Sequence, residues 1–160
     1  MQGPREVNLL KYCQESFVEF LCVNSQEQAL ASLVEKVPYL HTGSEKSHFF
    51  EALLQREKLL STGIGFGVAV PHAQLVDFHA FFIIVGIQKG EGIEWGALDS
   101  LPVHLIFLIG GPESAQTEYL AILAALTSVI QEEKKRVALM SAHSAMDVLQ
   151  VLQQNECLGG

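Results

Sequence analysis

From Ala80 to Ile87 the chain reads Ala-Phe-Phe-Ile-Ile-Val-Gly-Ile, and from Val103 to Ile109 it reads Val-His-Leu-Ile-Phe-Leu-Ile. Both runs are apolar at nearly every position, without the alternation of a strand that has one wet face. Phe78 to Ile87, which includes the first run, and Val103 to Ile109 read as strands buried on both sides, which requires helices above and below the sheet they belong to. At eight residues, the first run is far short of the roughly twenty that a membrane-spanning helix needs.

The rest of the chain supplies those helices. Residues 16–23 alternate as a first strand, and Asn24 or Ser25 caps a helix carrying Leu30, Leu33, Val34 and Val37 at helical spacing, stopped near Pro38. Ser44 is the cap expected for a second helix over 45–59, whose apolar positions are Phe49, Phe50, Leu53 and Leu54. Ser61-Thr-Gly-Ile-Gly-Phe-Gly67 then reads as a glycine loop, and Val68-Ala-Val-Pro-His72 as a short strand that Pro71 limits. Gly110-Gly-Pro-Glu113 reads as a sharp turn into a long helix with Leu120, Leu123, Ala124, Leu126 and Ile130 inward. Shorter helices follow over 134–140 and 145–152. Strands alternating with helices give an α/β class: one domain over 1–160, a mixed sheet covered by helices on both faces.

Composition narrows the function. The 160 residues are 49% apolar and 18% charged, too apolar for a disordered chain. The formal net charge is -8, arginine occurs only at 5, 56 and 136, and no basic run exists, so nucleic acid is not an expected partner. Residues 1–8 lack the features of a signal peptide, and direct membrane insertion is not expected; the expected location is the cytoplasm. Cys13, Cys22 and Cys157 form no metal or disulfide framework and read as free thiols, with Cys22 buried as a small hydrophobe. No zinc spacing is met by the histidines; neither metal nor cofactor is expected.

The chemistry concentrates in Ser61–His72. Glycines at 63, 65 and 67 allow positive φ and let successive N–H groups converge, while Pro71 stiffens the chain that presents His72. A stiff imidazole facing an amide-rich loop suits transfer of a phosphoryl group. It equally suits a glycine joint beside an ordinary edge-strand histidine. Neither a dinucleotide fingerprint nor a nucleotide-phosphate loop is present.

The stretch Gln55-Arg-Glu-Lys-Leu-Leu-Ser-Thr-Gly-Ile-Gly-Phe-Gly-Val-Ala-Val-Pro-His-Ala73 resembles the active-site signature of enzyme IIA of the phosphoenolpyruvate-dependent phosphotransferase system, in its fructose/mannitol/nitrogen-regulatory class. The resemblance extends through Leu101-Pro-Val-His-Leu-Ile-Phe-Leu-Ile109 and Tyr119-Leu-Ala-Ile-Leu-Ala-Ala-Leu126, covering roughly 7–152. It implies that His72 accepts a phosphoryl group on Nε2 from the phosphohistidine of HPr. Nδ1–H would then be held by a backbone carbonyl. Arg56 would steady the phosphoryl oxygens, with Thr62, Gly63, Gly65 and Gly67 as further contacts, unless Arg56 pairs with Glu51 or Glu57 instead.

Two positions depart from the family pattern. Phe66 stands where Asn is usual, which points to a partner-docking role, and Tyr119 stands where a second histidine is frequent, implying weaker stabilisation of phospho-His72. Downstream, the resemblance implies a regulatory target protein governed by phosphorylation state, or else an enzyme IIB cysteine on a sugar-uptake route. A binding module that has lost transfer is the third reading. Six acids against one base between Leu59 and Gln131 would steer a basic donor.

Overall fold

A computed structural model describes residues 7–153. A 3-10 turn (Leu9–Lys11) and a second (Glu15–Phe17) precede β1 (Val18–Leu21), α1 (Gln26–Val34) and α2 (Gly43–Leu59). Three short strands follow, β2 (Gly63–Gly65), β3 (Val68–Ala69) and β4 (His72–Leu75), then the long β5 (Phe82–Gln88) and β6 (Leu105–Pro112). The chain closes with α3 (Gln116–Ile130), α4 (Glu133–Met140) and α5 (Ala145–Gln153).

The sheet runs β1-β5-β6-β3-β2, with β4 also pairing β6. β5 and β6 are antiparallel, Ile83 opposite Ile109 and Val85 opposite Phe107, while β1 lies parallel to β5. β3 and β4 lie parallel to β6 in one register, Val68 opposite Leu105 and His72 opposite Ile109. They are thus one strand interrupted at Val70-Pro71, where proline has no N–H to give the ladder. Pleating divides the apolar runs between two cores. Ile83, Val85, Leu105, Phe107 and Ile109 pack with α3, α4 and α5 residues, including Ile122, Leu126, Leu139 and Val148. Phe82, Ile84, Ile106 and Leu108 pack with Leu30, Leu33, Phe49 and Leu53 of α1 and α2. The expected sheet with helices on both faces is what the chain forms.

Several local expectations need correction. The first strand is shorter than 16–23, and Cys22 is exposed just beyond its end, whereas Cys13 is buried and its thiol pushed up to about 12 by burial. Cys157 lies outside the described residues. Thr42, not Ser44, caps α2: its hydroxyl accepts from the Glu45 N–H at 3.0 Å while the Glu45 carboxylate accepts from the Thr42 N–H at 3.0 Å. The glycine loop is a hairpin, β2 against β3.

Gly110-Gly111 is strand rather than turn. Gly110 faces Phe82 across the ladder, and a Cβ there would collide with the Phe82 ring. The chain turns only after Pro112, so α3 starts at Gln116 and its inner face is Tyr119, Ile122, Leu126, Val129 and Ile130, with Leu120 61% exposed. His104, within the run that reads as a strand buried on both sides, is only half-buried.

Candidate functional site

His72 opens β4 directly after Pro71, half-buried at the edge of the sheet. Its Nδ1 stands 3.0 Å from the Val70 carbonyl oxygen, and its Nε2 stands 3.2 Å from Arg56 Nε. A carbonyl can only accept and a guanidinium can only donate, so the proton sits on Nδ1 and the lone pair on Nε2. Burial is the main influence on the ring and lowers its pKa below the ordinary 6.5; the Val70 carbonyl opposes this, Arg56 adds to it, and Glu57 opposes it. The imidazole is therefore held neutral and nucleophilic.

Arg56 comes from the last turn of α2, where a cation also suits the helix dipole. Its Nη1 donates to the Leu60 carbonyl oxygen at 3.0 Å, so the fork is anchored to the helix end and aimed at His72. The alternative pairing with Glu51 or Glu57 is not the one observed. Tyr119, in the first turn of α3, sets its ring centroid 5.7 Å from the His72 ring and stacks on Phe81. Burial raises the Tyr119 phenol pKa, so the hydroxyl stays protonated and able to donate.

The glycine segment is placed differently from a phosphate cradle. The Thr62 hydroxyl donates to the Glu57 carboxylate and accepts from the Trp95 indole N–H at 3.2 Å, and the Thr62 N–H also goes to Glu57 at 3.1 Å. The Gly63 N–H donates to Ser61 Oγ, and the Phe66 N–H donates to Asp99 Oδ2 at 2.9 Å. Gly63 lines the cleft beside His72; Gly65 and Gly67, with φ of 99° and 77°, instead form the hairpin turn. Arg56 is left as the cation in contact with Nε2 of His72.

Phe66 sits between those glycines with φ 60° and is 62% exposed. For a bulky residue that conformation costs about 1–2 kcal/mol, offset by the Asp99 bond and by the Arg136 guanidinium, 4.7 Å from the ring centroid. Glu57, Trp95, Asp99 and Arg136 were not singled out from the sequence as site residues. Glu57 lay inside the quoted signature, whereas the other three are remote in sequence and carry no motif. His72, Arg56, Tyr119 and Gly63 line one cleft of about 560 Å³, bounded by the end of α2, by β2 and by α3.

A neutral, lone-pair-bearing imidazole beside a fixed guanidinium can take up an electrophilic phosphorus while the cation meets its oxygens. Comparisons with known proteins agree in kind. The family described as "Phosphoenolpyruvate-dependent sugar phosphotransferase system, EIIA 2" matches residues 11–155. A nitrogen regulatory protein of Bradyrhizobium diazoefficiens is 35% identical over 138 residues, 86% of this chain and 89% of that protein. A fructose-specific EIIA component of the phosphotransferase system from Haloferax volcanii is 31% identical over 81% of this chain and 84% of that protein. The crystal structure of the nitrogen regulatory protein IIA-Ntr from Neisseria meningitidis superposes with a TM-score of 0.80 at 29% identity, covering 87% of this chain and 94% of that one.

Proposed function

This chain belongs to the EIIA 2 family of the phosphoenolpyruvate-dependent sugar phosphotransferase system, and we propose that its phosphocarrier nitrogen is Nε2 of His72. The observation that carries this reading is the pinned ring: Nδ1 on the Val70 carbonyl, Nε2 facing Arg56 at 3.2 Å. The donor is the phosphohistidine of HPr. Its P–N bond breaks, the phosphoryl group moves to Nε2 of His72, and the donor imidazole leaves with the electron pair. The proton stays on Nδ1, donated to the Val70 carbonyl oxygen, whose partial negative charge stabilises the positive charge the ring gains. As the P–N bond forms, the Nε2 lone pair is used up, and the Arg56 Nε–H passes from that nitrogen to a phosphoryl oxygen.

Downstream, the reading is regulatory: phosphorylation state decides which partner protein binds, in line with the similarity to nitrogen regulatory proteins. The similarity to a fructose-specific EIIA component favours a second reading, in which the group passes to a cysteine of an enzyme IIB. Incubation with phosphoenolpyruvate, enzyme I and HPr tests the first step. It is expected to add about 80 Da, the mass of one phosphoryl group, as an acid-labile adduct absent from His72→Ala. An unmodified wild-type chain would leave a binding module that no longer transfers. Addition of a IIB domain separates the downstream readings, since only the sugar route ends with phosphate on its cysteine.

A further inference from the structure

The cleft beside His72 is larger and more apolar than a phosphoryl group needs. Its roughly 560 Å³ lies in the range of small-molecule sites. Leu60, Ile64 and Leu98 line it together with Leu123, Leu126 and Ile130 of α3. The α3 side runs from Tyr119, beside the imidazole, to Ile130, a rise of about 16 Å along the helix. Arg56 and His72 stand together at the Tyr119 end, with two of the five Arg56 N–H groups taken by His72 and Leu60, whereas the lining hydroxyls of Ser61, Thr62 and Thr127 donate to Trp95, Glu57 and Leu123. Leu98 is 90% exposed at the rim, so the apolar wall reaches open solvent.

A cavity with a guanidinium at one end and aliphatic walls along its length is complementary to a molecule with an anionic head and an apolar tail. We propose that the cleft binds a soluble amphiphilic anion, a phosphate or carboxylate on an aliphatic chain. Its head meets Arg56 and His72, its tail lies along α3 towards Ile130, and its presence closes access to His72 Nε2. Binding depends only on the shape and charge of the cleft. The closing of Nε2 rests on the phosphocarrier reading, and a direct binding measurement keeps the two apart.

The probes are octyl phosphate below its micelle concentration, inorganic phosphate and octan-1-ol, each titrated calorimetrically into the intact chain. Octyl phosphate is expected to bind at least about tenfold more tightly than either of the others, because head and tail each find their own surface. Thr127→Trp, at an exposed α3 position that lines the cleft, fills the tail region and is expected to weaken octyl phosphate at least about tenfold while leaving inorganic phosphate unchanged. Octyl phosphate should also slow phosphate uptake from phospho-HPr in wild type and not in Thr127→Trp. An advantage below tenfold over inorganic phosphate or octanol, or undiminished binding to folded Thr127→Trp, overturns the proposal and leaves the cleft as a seat for partner side chains. Tight binding without slower uptake overturns only the closing of Nε2.

Discussion

At the scale of single residues, the site turns on who donates to whom. Arg56 donates to Nε2 through a fixed fork, so Arg56→Gln is expected to slow phosphate uptake from phospho-HPr by roughly 100-fold, the cost of removing one preorganised donor. Arg56→Lys keeps the charge without the fork and should fall between that variant and wild type in the same assay. Tyr119→His would place a second imidazole 5–6 Å away in ring terms, given the present centroid separation of 5.7 Å. That variant is expected to lengthen the phosphohistidine lifetime; an unchanged lifetime and transfer rate would contradict the role given to this position.

The titration of His72 has a definite sign. Burial holds its folded pKa below 6.5, so above 6.5 the ring is neutral in both folded and unfolded chains. As pH falls through 6.5 the unfolded chain takes up the proton first, and stability is lost until the lower folded value is passed. Between pH 7 and 5 the melting temperature of wild type should therefore drop more than that of His72→Gln. Phosphate uptake should likewise begin to decline at a lower pH than an unburied imidazole would give. His72 and Arg56 were readable from a linked signature. The occupation of the Thr62 hydroxyl and the Gly63 and Phe66 amides was not: Trp95 and Asp99 are remote in sequence, and Glu57 and Ser61, though near, carry no pattern that says which way they turn.

At the scale of elements, packing decided what local patterns left open. Gly110 is opposite Phe82, and Gly110→Ala forces a methyl against that ring; a loss of about 1–3 kcal/mol is expected in urea unfolding. Thr42→Ala removes one half of the capping box of α2, the helix that carries Arg56, and should cost about 1 kcal/mol in the same measurement. The sequence pointed to Ser44 because any small hydroxyl before a helical pattern qualifies; the reciprocal bond with Glu45 selects Thr42. The phase of α3 was unreadable for a related reason. From Tyr119 to Leu126 the chain is apolar on every side, so only the point where β6 ends, at Pro112, sets which side turns inward.

At the scale of the whole molecule, the net charge of -8 gives long-range attraction to a basic partner. Association with HPr is expected to slow markedly as salt rises from low to physiological strength and beyond, seen in stopped-flow rates, if the donor presents a basic face. Among the described residues no helix is long and apolar enough to cross a membrane, in keeping with the eight-residue limit of the apolar run. The two doubly buried strands and the helices that cover them could be read from the residues alone, because each is written in neighbouring positions. Folding was needed to set Arg56 against Nε2 rather than against Glu51 or Glu57, to spend the loop amides, and to open an apolar cleft from the histidine along α3. Those depend on where side chains of several elements come to lie, near neighbours in the chain among them, and no local pattern encodes a distance.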